Sequence, residues 1–163
     1  MLATDVKPDR LVRAKRKLID LLELREEGVT ALIVFAGDAH VVSPLTDDTI
    51  TIAAMIPALS PDIVPAPGSA LAPALLKAIN LFRDGGTASG RILIITDEIR
   101  DVVASQRIAR EFRNAYPVSV MSVGTQAGGP VALVSGRPDA GYLKDTRGNM
   151  VIPKVNAGSL KDF

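Results

Sequence analysis

The first place in this sequence where chemistry could sit is an acidic residue closing an apolar run. Asp97 follows Ile92-Leu93-Ile94-Ile95-Thr96 and is followed by Glu98. The run is too short for a buried helix and does not alternate, which is the pattern of a strand covered on both faces. Polar groups at the carboxyl end of such a strand lie where open α/β sheets bind ligands. Ser69 is the second candidate. It follows the stiff proline-rich segment 60–68, and its spacing predicts a helix N-cap for residues 70–83. A hydroxyl, a carboxylate and water suit a hard divalent ion such as Mg²⁺ or Mn²⁺, so Ser69 and Asp97 are the metal-ligand candidates. Two side chains alone make a weak cage.

Other chemistry has little to work with. His40 is the only histidine and cysteine is absent, which removes thiolate metal sites and thiol nucleophiles. No Gly-x-Ser-x-Gly elbow is present, and no Ser-His-Asp order can be assembled. Pro67-Gly68-Ser69 precedes a predicted helix but lacks the Gly-Lys-Ser/Thr of a phosphate loop, and no Gly-x-Gly-x-x-Gly follows a strand. Lys and Arg number 19 against 18 Asp and Glu, so no general attraction to nucleic acid or to an anionic membrane is expected. A non-enzymatic chain is the expectation.

The positioning elements follow from periodicity. Residues 10–25 have helical spacing, with Leu11, Val12, Leu18, Ile19 and Leu22 inward. Arg10, Arg13, Lys15, Arg16 and Lys17 are predicted to form a solvated outer face. Residues 29–36 and 40–45 read as an antiparallel hairpin, with Pro44 marking an outer strand. A helix over residues 48–59, another over 101–115, a strand over 117–124 and a hairpin over 142–152 follow, with a short helix beginning near Ala157. Alternating strands and helices predict one α/β domain over residues 1–163, a doubly wound, largely parallel sheet flanked by helices. No apolar run approaches the roughly 20 residues of a spanning helix, and no signal-peptide pattern opens the chain, so a soluble domain is expected.

The ordered segments MLATDVKPDRLVRAKRKLIDLL, VTALIVFAGDAHVVSPLTDD, PAPGSALAPALLKAI, RILIITDE, VSVMSVGT and YLKDTRGNMVIP resemble a von Willebrand factor A domain. The likeness is in particular to bacterial Bat-type (aerotolerance-operon) membrane proteins. It implies a doubly wound module, and a Mg²⁺-dependent adhesion site at which a partner protein offers a carboxylate. In that pattern Asp97 matches a metal-site Asp, Ser69 stands where the family has a loop Thr, and Glu98 replaces a usual Gly. The family's Asp-x-Ser-x-Ser and its first strand normally lie just upstream of a segment like MLATD, and the given sequence starts at that Met. The resemblance therefore implies a central strand missing from this chain and a residual, incomplete metal site of weak affinity. Two apolar strands would then close directly on each other or take a strand from another copy, giving a homo-oligomer through an exposed edge. Membrane association of relatives is also implied, although no flanking segment is present here. The competing expectation is a phosphotransfer receiver-like domain with Asp97 as phosphoacceptor. Against it, no Lys follows the strand ending at Gly124.

Overall fold

The computed structural model describes residues 1–155 and Gly158. The helix expected near Ala157 lies outside the described residues. Asp9 accepts a hydrogen bond from the Val12 amide and so opens helix α1, Arg10–Glu23. Gly28, with φ of +86°, turns the chain into strand β1, Thr30–Phe35. A short turn leads to β2, Ala39–Thr46, which runs antiparallel to β1 and pairs with no other strand among the described residues. The hairpin and its outer strand are as the sequence predicts. The Asp48 carboxylate caps α2, Thr49–Met55, by accepting from the Thr51 amide, and a single 3₁₀ turn over Ile56–Ala58 finishes that helix.

The second half holds α3, Ala72–Asp84; β3, Ile92–Thr96; α4, Val102–Phe112; and β4, Val118–Ser122. β3 and β4 pair in parallel from Ile92–Val118 to Thr96–Ser122. An antiparallel hairpin follows, with Lys144 opposite Met150 and Gly148 at φ of +84° in its turn. One core joins α3 and α4 to β3 and β4 through Leu71, Leu75, Ile79, Ile94 and Ile108. A second joins α1 and α2 to β1 through Leu22, Leu32, Ile52 and Ile56.

Three expectations are corrected. β1 and β3 do not close on each other, because the strands form two separate two-stranded sheets, β1–β2 and β3–β4. α3 packs against β1, β2 and α4 together, and that shared support fixes the spacing between the halves. Ser69 does not cap α3. The Asp101 carboxylate does so, accepting from the Leu71 and Ala72 amides at 2.8 Å each. Arg10 does not join the solvated face of α1, because it is 1% exposed.

Candidate functional site

The gap between the half-sheets is a slot of about 1080 Å³. All six residues of β1 line one wall and all five of β3 the other, with Leu11, Ala14 and Leu18 of α1, Leu71 just before α3, and Ala74 and Leu75 of α3 also lining it. Backbone groups on the facing edges of β1 and β3 have no strand partner across it. The Thr30 hydroxyl on β1 is buried with no hydrogen-bond partner among the described residues.

One mouth of the slot is a polar rim where the carboxyl ends of β1 and β3 meet the loop before α3. That loop is stitched to the end of β1 by the Gly37 amide donating to the Ala66 carbonyl and the Ala70 amide to the Ala36 carbonyl. Gly68 makes this close approach, since a Cβ there would lie 2.8 Å from the Gly37 Cα. Ser69 is thereby held beside the end of β3, where the Arg100 amide donates to its carbonyl at 3.1 Å. Its hydroxyl donates to Glu98 Oε2 at 3.2 Å, and Arg100 Nε reaches the same oxygen at 3.4 Å. Thr96, buried at the end of β3, donates from its hydroxyl to the Glu98 carbonyl at 2.8 Å and shapes the turn.

Asp97 and Ser69 share this rim but bond to different neighbours. Asp97 Oδ2 accepts from Arg10 Nη1 at 3.1 Å and lies 2.8 Å from the Met1 amino group. Arg10 reaches further: Nε and Nη2 donate to the two Asp5 oxygens at 2.8 and 2.9 Å, and Nη2 also donates to the Pro153 carbonyl. Burial works against the guanidinium's charge, but the bonds to Asp5 and Asp97 outweigh it and raise its pKa. Burial likewise pushes the Asp5 carboxyl up. Hydrogen bonds from Arg10 and from the Thr125 amide and hydroxyl, with the guanidinium's charge, overcome that and hold it at about 2. Sequence reasoning missed both Asp5 and Arg10. The only local signal was a five-residue spacing across Pro8 and the capping Asp9.

The side chains present do not fit a divalent ion as they stand. One Asp97 oxygen is already paired with the Arg10 guanidinium, whose fixed positive charge opposes a second cation there. Among the described residues no group of three or more Asp, Glu, His or Cys side chains is gathered in one place. His40 sits on β2 with its ring half exposed, 3.9 Å from Asp38. No helix among the described residues is long and apolar enough to cross a membrane.

No curated protein matches the chain. Two of the solved structures that match share its fold over 99% of its length. One is an aerotolerance-related membrane protein from Bacteroides fragilis carrying multiple mutations to serine, at 29% identity and a TM-score of 0.85, with 79% of that chain covered. The other is the conserved hypothetical protein BatB from Bacteroides thetaiotaomicron, at 32% identity and a TM-score of 0.83, with 78% of that chain covered. The profile of the von Willebrand factor type A domain matches residues 1–99, a span that holds α1, the β1–β2 hairpin, Ser69 and Asp97. On that match the chain belongs to the von Willebrand factor type A domain family.

Proposed function

We propose that this chain is a non-enzymatic protein-interaction module that meets its partner protein at the rim formed by Ser69, Glu98 and Arg100. Membership of a family whose domains generally mediate protein–protein contacts supports this reading. The carrying observation is the rim itself, where Glu98 and Arg100 stand exposed on a loop held rigidly to both half-sheets. Binding groups on a loop fixed by a rigid scaffold are a common arrangement for recognition. A photo-crosslinking side chain at Arg100, compared with one at Glu111 on α4, tests it in cells making the full chain. Selective capture of one protein species from position 100 is expected. Equal labelling from both positions, or none from position 100, refutes the assignment. A second mode is favoured by the slot, whose two open edges could recruit a strand from another copy of the chain. A dimer in sedimentation that disperses when a slot-lining residue is made charged, as in Ala78→Lys, would mark that mode.

A further inference from the structure

We propose that Arg10 is the resident cation of this rim, neutralising Asp97 where a family member would use a divalent ion. The guanidinium is 1% exposed, and its donors are directed at four acceptor atoms on three residues. It takes both oxygens of Asp5, one oxygen of Asp97 and the Pro153 carbonyl, at 2.8–3.1 Å. The planar fork of arginine suits such a multi-acceptor cradle better than a point charge does. The backbone is shaped to receive it. Gly124, at φ of +127°, lies against the guanidinium so closely that any Cβ there would collide with it and with Val155. A Mg²⁺ ion drawn to Asp97 would place two further positive charges beside a buried guanidinium that cannot lose its proton. Pulling Arg10 away would leave the Asp5 carboxylate without its counter-charge, held only by Thr125, a costly state away from solvent. The amino terminus also contacts Asp97, but Arg10 alone is sufficient for the proposal.

The test uses Mn²⁺ as the probe, read by water-proton relaxation, on the full chain with its amino terminus acetylated so that only Arg10 faces Asp97. The wild type is expected to give no saturable Mn²⁺ signal at Asp97, and Mg²⁺ is expected to leave its melting temperature where matched NaCl leaves it. Arg10→Gln exposes two carboxylates and should bind Mn²⁺ at least tenfold more tightly than wild type. If that variant does not fold, the wild type and Asp97→Asn decide the matter. A saturable wild-type signal that Asp97→Asn abolishes overturns the proposal. A wild-type signal that survives Asp97→Asn comes from elsewhere on the surface and leaves Asp97 paired with Arg10. Folded Arg10→Gln with no gain in Mn²⁺ affinity also overturns it.

Discussion

Joining a six-residue apolar segment, such as alternating valine and isoleucine, ahead of Met1 should fill the slot and stabilise the protein substantially. Met1 lines the slot and its amino group stands at the end of β3 beside Asp97, so a segment entering from there runs alongside β3. The slot is apolar toward both α1 and α3, so every side chain of the insert finds an apolar wall. Ordering the segment costs about 1–2 kcal/mol per residue. Burying each aliphatic side chain returns about 1.5–3 kcal/mol, and each new backbone hydrogen bond about 1 kcal/mol. Over six residues ordering costs about 9 kcal/mol, burial at the low end of its range returns about 9, and five new hydrogen bonds add about 5, a net gain of about 5 kcal/mol. At about 2–4 °C per kcal/mol for a domain of this size, the melting temperature should rise by about 10–20 °C. Scanning calorimetry against a Gly-Ser extension of equal length isolates the effect, and amide exchange should slow along both β1 and β3. Equal melting temperatures for the two extensions would refute the account of the slot.

The ion cluster gives a pH prediction. The Asp5 carboxyl lies at about 2 in the fold, below its ordinary value of 3.8, so the stability it contributes is present above about pH 4 and is lost as pH falls toward 2. The shift corresponds to about 2 kcal/mol, and Asp5→Asn should flatten the acid limb of a denaturation series between those values. Asp101→Ala should cost about 1–2 kcal/mol in urea unfolding, since it removes the acceptor for two amides at the start of α3. Ser69→Ala should change stability by less than about 0.5 kcal/mol, as its exposed hydroxyl holds only Glu98. A larger loss on Ser69→Ala would restore a capping role to that residue. Gly124→Ala should destabilise by about 2 kcal/mol or more, through positive φ and collision with Arg10, and a melting curve superimposed on wild type would refute it.

Features encoded by near neighbours were legible in the sequence. The apolar stripe of α1, the Asp48 cap, the β1–β2 hairpin with Pro44 on its outer strand, and β3 ending at Asp97 all follow from periodicity or from cap and turn chemistry. Distant pairings were not. Helical spacing assigns Arg10 to the charged face with Arg13 and Lys17, yet Arg10 is the first residue of its helix. There its side chain folds back toward Asp5 and across to Asp97, 87 positions away. Ser69 has the residue type and spacing of an N-cap, but Asp101 takes that task from 30 positions downstream of Leu71. A serine hydroxyl competing with a carboxylate for two amides loses, because an ionised acceptor makes the stronger bonds. The slot was not legible in the sequence, which led to the expectation that β1 and β3 close on each other or take a strand from another copy. That its edges stay apart depends on the packing of α3 against both halves.

Asp101 has a consequence for how contact at the rim would be felt elsewhere. Its carboxylate holds the first amides of α3, while the neighbouring Arg100 amide grips the Ser69 carbonyl. The loop carrying Glu98 therefore cannot lift without also freeing the leading turn of α3. Deuterium uptake at the Leu71 and Ala72 amides becomes a gauge of loop opening, readable without a label at the rim. A ligand that clamps the loop should slow that uptake, and one that pries it open should speed it. α3 also lies against the β1–β2 hairpin, so the same lever reaches the far half of the molecule.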